Sequence, residues 1–166
     1  MLFEQHTLNR GFMTELKNHF TDSIFYELEL TAKYCKMLGG QIFAQYNVDI
    51  IPDEYAILDT LSCNPSLCQR DLARLIIKDR ANTGKLLDSL EKKGLITRVL
   101  AVKNNRPVKM VSLTDDGLKK ANEVSDLLRP HMEKVRAKIR QSDLEKIKGL
   151  LREFREVLNE TVEVNI

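Results

Sequence analysis

The sequence predicts a mainly α-helical protein with one small β-hairpin, and three observations carry that expectation. Apolar residues recur at the i, i+4, i+7 spacing of a helical face over most of the chain. Two β-branched apolar runs, Leu95 to Val102 and Val108 to Leu113, flank the polar segment Lys103-Asn104-Asn105-Arg106-Pro107. Only seven of the 166 residues are Gly and four are Pro, while 43% are hydrophobic and 30% charged. That mixture belongs to a soluble, helix-rich protein whose apolar core needs no disulfide staples.

The first 47 residues read as helix, with its clearest stripe at Ile24, Leu28, Thr31, Cys35, Leu38 and Ile42 and with Thr21, Asp22 and Ser23 as caps. Gly39-Gly40 falls inside the stripe, where each glycine costs about 1 kcal/mol against alanine, so the helix either kinks there or packs closely on a neighbour. Pro52 or Asp53 opens a short helix to about Ser62, which Cys63-Asn64-Pro65 ends. Ser66 with Gln69 forms an S-x-x-Q capping box for a second short helix to about Ile77, facing inward with Cys68, Leu72, Leu75 and Ile76. Asp79 caps a third helix, whose inward positions are Thr83, Leu86, Leu87 and Leu90 and which Gly94 stops.

The hairpin follows, with a basic tip. Thr114-Asp115-Asp116-Gly117 then caps a long helix striped by Leu118, Ala121, Val124, Leu128, Met132, Val135 and Ile139, with a kink expected at Pro130. Ser142 with Glu145 makes another capping box for a last helix carrying Leu144, Ile147, Leu151, Phe154, Leu158 and Val162, flanked by Leu150 and Val157. That apolar face is too wide for a lone surface helix. The terminal helices are expected to bury it against a second copy of the chain, through Leu128, Met132, Leu144, Ile147, Leu151, Phe154 and Leu158; the alternative is a purely intramolecular bundle.

Charge is distributed unevenly. Residues 69–110 hold eleven Lys and Arg against four Asp and Glu, a net of +7, whereas residues 1–68 are net negative and residues 111–166 balance. A concentrated positive field favours a polyanion, since neutralising phosphates supplies most non-specific nucleic-acid affinity. Helix, helix and hairpin coincide with that segment, and together they make a winged helix-turn-helix, whose second helix enters the major groove of duplex DNA. The expected organisation is an N-terminal helical region, 1–48, contributing to dimerisation, a DNA-binding winged helix-turn-helix, 49–114, and C-terminal dimerisation helices, 115–166.

With its apolar positions inside, the third helix presents Arg80, Ala81, Asn82, Gly84, Lys85 and Ser89. Asn pairs bidentately with adenine and Lys with guanine, each good pair contributing about 1–3 kcal/mol of discrimination. Asn82 and Lys85 are therefore the base-reading candidates, Ser89 lies on their line, and Gly84 lets the helix backbone come close to the groove. Arg106 at the hairpin tip is placed for an adjacent minor groove, with Lys103 and Asn105 beside it. Gln69 and Arg70 are placed to hold phosphates.

Residues 53–117 resemble the MarR (multiple antibiotic resistance regulator) family. The motifs that carry the likeness are Asp53-Glu54-Tyr55-Ala56-Ile57-Leu58, Gln69-Arg70-Asp71-Leu72-Ala73, the run from Asp79 to Arg98, and Val111-Ser112-Leu113-Thr114-Asp115-Asp116-Gly117. The resemblance implies a homodimeric repressor on pseudo-palindromic operators, relieved by phenolic or other small ligands or by thiol oxidation. It also implies an effector pocket, for which Tyr34, Phe43 and Tyr46 are the aromatic candidates; plain core is the other reading of those three. Wings of the family commonly carry an Asp-x-x-Asp-Arg-Arg run. Here Val102-Lys103-Asn104-Asn105-Arg106-Pro107 keeps the arginine and replaces its aspartate brace with Asn105, which puts wing rigidity in question. Gly84 stands where many members have Ser or Thr, which removes one groove contact.

Other functions find little support. His6, His19 and His131 show no metal-ligand spacing, and no phosphate loop or dinucleotide fingerprint occurs, so neither a metal, a cofactor nor an enzymatic activity is expected. Cys35, Cys63 and Cys68 match neither a disulfide framework nor a CxxC pair and suit a reducing compartment. Cys35 is the candidate for redox sensing, although its apolar stripe and that of Cys68 point to inert core thiols. The uncharged stretch from Met37 to Val48 is shorter than the roughly 18 apolar residues of a membrane span, and no secretory signal pattern is evident, so a cytoplasmic location is expected. A winged helix that binds protein instead of DNA remains the alternative module.

Overall fold

A computed structural model of the chain describes residues 19–103 and 105–161. They form two compact units, one ending at Pro52 and the other beginning at Asp53.

In the first unit, a 3-10 turn at Phe20–Asp22 leads into α1 (Ile24–Gln45). Ser23 is its cap: the hydroxyl accepts the Tyr26 N–H at 3.3 Å and donates to the Phe20 carbonyl at 2.6 Å. The helix runs on through Gly39-Gly40. A methyl group at Gly39 would meet the Pro52 ring at an ordinary 3.8 Å, and one at Gly40 would meet nothing, so neither glycine is forced by crowding. Asn47, in the left-handed region at φ 51°, turns the chain out of the helix. Of the α1 stripe only Ile42 is buried, together with its neighbour Phe43. Ile24 and Leu38 are exposed, and Cys35 between them is exposed too, which corrects its expected place in a core. The part of the expected N-terminal helix within residues 1–18 lies outside the described residues.

The second unit contains α2 (Pro52–Cys63) from its second residue on, β1 (Leu67–Cys68), α3 (Gln69–Leu75), α4 (Arg80–Lys92), β2 (Ile96–Lys103), β3 (Arg106–Leu113), α5 (Asp115–Arg136) and α6 (Gln141–Thr161). Its core is built from Ile57, Leu58 and Leu61 of α2, Leu72 and Ala73 of α3, and Thr83, Leu87 and Leu90 of α4. Leu95, Ile96, Val111, Ala121 and Val124 complete it. Each fully buried aliphatic side chain stabilises the unit by about 1.5–3 kcal/mol. At the base of α2 the Glu54 carboxylate, 2% exposed, accepts from Lys93 Nζ at 2.8 Å and so ties the start of α2 to the end of α4.

Four local expectations change. The Ser66 capping box does not form: Leu67 and Cys68 pair with Val111 and Met110 as a third, antiparallel strand, so the chain is still extended after Ser66 and α3 starts at Gln69. The sheet order is β1-β3-β2. The hairpin turn is also tighter than the five-residue polar segment suggests, because Lys103 and Arg106 are register partners and only residues 104 and 105 lie between the strands. Asn105 sits at φ 59°, a left-handed conformation that asparagine tolerates.

On α3 the inward residues are Cys68, Leu72 and Ala73, not Leu75, which is exposed, while Ile76 is half-buried. The helix is only two turns long, and Ile77 at φ 51° swings the chain away before Leu75 can be covered. Finally, α6 begins at Gln141, so Ser142 lies inside the first turn. There Gln141 bonds to Glu145 at 3.2 Å in place of the expected Ser142–Glu145 box.

The Thr114 cap of α5 does form. Its hydroxyl accepts the Gly117 N–H at 3.0 Å and donates to the Gly94 carbonyl at 2.7 Å, which joins the end of α4 to the start of α5. Pro130 lies inside α5, which continues to Arg136 and stops short of Ile139. Along its stripe Ala121 and Val124 are buried, Leu118 is exposed, and so are Met132 and Val135 beyond the proline. No residue of α6 within the protomer is buried.

Candidate nucleic-acid interface

The start of α4 is fixed by Asp79, which accepts the Asn82 N–H at 2.8 Å, and Thr83 adds a hydroxyl bond to the Asp79 carbonyl at 2.9 Å. The bonds from Asn82 hold the Asp79 carboxyl below its ordinary pKa, so the cap stays charged at neutral pH. With Thr83, Leu87 and Leu90 buried and Leu86 half-buried, the opposite side of α4 is open. Arg80, Ala81, Asn82 and Lys85 are exposed there, and Gly84 and Ser89 half-buried. Asn82 is not free, because its Nδ2 donates to Asp79 Oδ2 at 2.6 Å. That bond uses one amide hydrogen and leaves the second hydrogen and the carbonyl oxygen, the pair that a bidentate contact with adenine needs. Gly84 stands over α3, where a methyl group would lie 3.8 Å from Gln69 Nε2, so Gln69 and the middle of α4 meet.

Not every cation of the positive segment is available to a ligand. Arg98, on β2, donates to Glu91 at 2.5 Å and to Asp88 at 2.7 Å, and its side chain is only 15% exposed. These bonds raise its pKa further and clamp β2 to α4. Lys93 and Lys78 are engaged with Glu54 and Asp53.

Lys103, expected beside the wing tip as a DNA cation, instead reaches back to Asp71 of α3 at 2.8 Å. A thiol bond from Cys68 and the Lys103 ammonium together bring the Asp71 carboxyl down to about 2. The wing thus has a charged brace to α3, assembled from residues that sequence spacing does not connect. Arg106 and Asn105 at the tip are exposed. Because the folded state holds Asp71 ionised below its ordinary value, this contribution to stability is complete above about pH 4 and is lost as pH falls toward 2. Asp71→Asn is therefore expected to lower stability at neutral pH and to converge on the wild type between about pH 4 and pH 2. Chemical denaturation of both proteins across that range, with the gap between them as the readout, checks this.

Of the aromatic effector candidates, Tyr34 and Tyr46 are exposed and Phe43 is buried. An open crevice of about 600 Å³ in the first unit is lined by Phe43 with Asn47, Val48, Ile50 and Pro52, and neither tyrosine lines it. The expected dimer residues Met132, Ile147 and Leu158 are exposed in the protomer, and Leu128, Leu144, Leu151 and Phe154 are half-buried. Val162 and His6 lie outside the described residues. Among the described residues no three His, Cys, Asp or Glu side chains gather as a metal site, and no helix is long and apolar enough to cross a membrane.

The MarR family model matches residues 50–108. No curated protein sequence matches the chain. Among solved structures, the chain is similar to the transcriptional repressor CouR bound to a 23-mer DNA duplex, with a TM-score of 0.71 at 20% identity, covering 83% of this chain and 96% of that one. It is similar to the Staphylococcus aureus MepR–DNA complex, with a TM-score of 0.68 at 21% identity, covering 82% and 98%. It is also similar to NadR in complex with 4-hydroxyphenylacetate, with a TM-score of 0.70 at 24% identity, covering 83% and 94%. Residues 50–108 are therefore a match to the MarR-family domain, and over 83% of its length the chain shares the winged helix fold of CouR.

Proposed function

We propose that the protein is a sequence-specific DNA-binding transcriptional regulator, acting as a homodimeric repressor on pseudo-palindromic operators and released by a small ligand or an oxidant. One observation carries the reading: the open polar side of α4, with Asn82 and Lys85, belongs to the same positive segment as the braced wing that presents Arg106. In this reading α4 lies in the major groove, Asn82, Lys85 and Ser89 face base edges, Arg106 enters the minor groove, and Gln69 and Arg70 hold phosphates.

The apolar surface of Met132, Val135, Ile147, Leu150, Val157 and Leu158, open in the protomer, supports a second copy as its cover. Regions 1–48 and 115–166 then serve dimerisation, and 49–114 reads DNA. The DNA complexes of MepR and CouR and the 4-hydroxyphenylacetate complex of NadR fit a chain of this fold that exchanges an operator for a small effector. Release by an oxidant would act through Cys35, which is exposed as Cys63 is.

Equilibrium binding to duplex DNA as a function of salt tests the proposal. Affinity is expected to fall steeply with salt, since a dimer neutralises many phosphates. Arg106→Ala should weaken binding to operator and random duplex alike, whereas Asn82→Ala should cost about 1–3 kcal/mol at one base pair per half-site and relax discrimination there. Association that ignores salt, or equal effects of both substitutions on every sequence, contradicts the assignment and favours a protein-binding winged helix.

A further inference from the structure

A cleft of about 320 Å³ opens in the second unit where α3, the first turn of α4 and β3 come together. Ala73, Pro107 and Val108 give it apolar walls, and three cations line it: Arg70, Arg80 and Lys109. No carboxylate is among its lining residues. Asp71, outside the lining, stands 3.8 Å from Arg70 Nε, and its other carboxylate oxygen is bound by Lys103 at 2.8 Å. Among the described residues, Arg80 and Lys109 take part in no ion pair and no hydrogen bond through their side chains.

The other cations near this site behave differently: Lys78, Lys93, Arg98 and Lys103 each have a carboxylate at 3.0 Å or closer. Three like charges converging on one concave, part-apolar space repel each other and raise the local potential, unless an anion enters to bridge them.

We infer that this cleft seats a single backbone phosphate of the bound duplex, gripped jointly by Arg70, Arg80 and Lys109. The inference rests on the DNA-binding reading above and gives it a register-setting contact. Arg80 opens the recognition helix, and Lys109 lies three residues along β3 from Arg106. A phosphate held between them fixes how far α4 and the wing sit from each other along the groove, without reading sequence. Lys109 emerges here as a binding residue that the positive count of the segment contains but does not single out. The same chemistry would suit the phosphate of a free small molecule, and the experiment separates the two sources.

Binding of the full-length protein to a selected operator and to a random duplex is measured by fluorescence anisotropy over a range of salt concentrations. The wild type is compared with Arg80→Gln, Lys109→Gln, the double variant, and Lys119→Gln on the outer face of α5 as a control. Because the slope of log affinity against log salt counts phosphates neutralised and a dimer carries two such seats, each single variant is expected to lower it by at most about two units, and the double variant by about two. Affinity for operator and random duplex should fall by the same factor, and Lys119→Gln should leave both slope and affinity unchanged.

A double variant that loses about four units overturns the shared seat, since the two cations of each protomer then serve separate phosphates. Wild-type slopes in both single variants and in the double variant also overturn it, while leaving DNA binding itself intact. Absence of duplex binding by the wild type removes the DNA reading and this assignment with it. In that case, saturable calorimetric binding of inorganic pyrophosphate, abolished in Lys109→Gln, would reassign the cleft to a free phosphate compound.

Discussion

Gly117→Ala is expected to lower the melting temperature by about 6–12 °C. Gly117 is buried in the first turn of α5, and a methyl group built there would stand 1.9 Å from the backbone carbonyl oxygen of Leu95 and 3.2 Å from Leu113 Cδ2. A flexible side chain could rotate away from such an intruder, but a backbone carbonyl cannot. Either α5 retreats or the turn at Gly94 and Leu95 deforms. Retreat breaks the Thr114 bonds to Gly117 and Gly94 that join α4 to α5. Overpacking costs about 1–3 kcal/mol, and contact with main chain belongs at the upper end; at roughly 2–4 °C per kcal/mol for a chain of this size, that gives the stated shift.

Gly84→Ala is the internal contrast. It also lies within a helix, but its added methyl meets only Gln69 Nε2 at 3.8 Å, so stability should hold or rise by up to about 1 kcal/mol. Thermal unfolding followed by circular dichroism distinguishes the two. A Gly117→Ala protein that melts with the wild type would mean that α5 does not start where the structure puts it.

Ile147→Asp is expected to dissociate the proposed homodimer. Ile147 is 49% exposed in the protomer, so a carboxylate there leaves the folded monomer well solvated. In a symmetric interface the same substitution acts twice, burying two unpaired charges at several kcal/mol each. A total of at least about 4 kcal/mol corresponds to a dimer weakened by about 10³-fold or more. Operator affinity should then fall by at least about 100-fold, because the second half-site is no longer bound at the high effective concentration that a tethered partner provides. Leu158→Asp, on the same helix, should behave alike. Sedimentation at micromolar concentration reads the mass directly. Two variants that remain dimeric would move the interface away from α6.

Much of this architecture is legible in local sequence, for identifiable reasons. Asp79 followed by Thr83, Leu87 and Leu90 combines a cap with a one-sided stripe, and both signals act within the helix they specify. Thr114 and Gly94 mark ends of elements in the same local way. Strand β1 is different: two residues have no periodicity, and Leu67 and Cys68 are extended only because Val111 and Met110 arrive more than forty residues later. The Ser66 and Ser142 boxes have the right composition, yet the helix starts are decided elsewhere, by that strand and by the entry at Gln141.

The candidate interface shows the same division. Which side of α4 is open follows from its apolar positions. What each polar group on it can still do depends on partners the spacing does not reveal. Asp71 captures Lys103 across 32 residues, Glu91 and Asp88 occupy Arg98, and Asp79 tethers Asn82. With Asn105 in place of an aspartate in the turn, the charged brace of the wing comes from Lys103, at the tip end of β2, and Asp71 of α3, a pairing that only the fold brings into reach.

The most direct test of the account is selection of bound sequences from a random duplex library by the purified full-length protein. Two equivalent α4 helices on one face of the duplex predict inverted half-sites whose centres are about 10 bp apart, one helical turn. Enrichment of a single unrepeated site, or no enrichment over input, would contradict a dimer that reads DNA through Asn82 and Lys85.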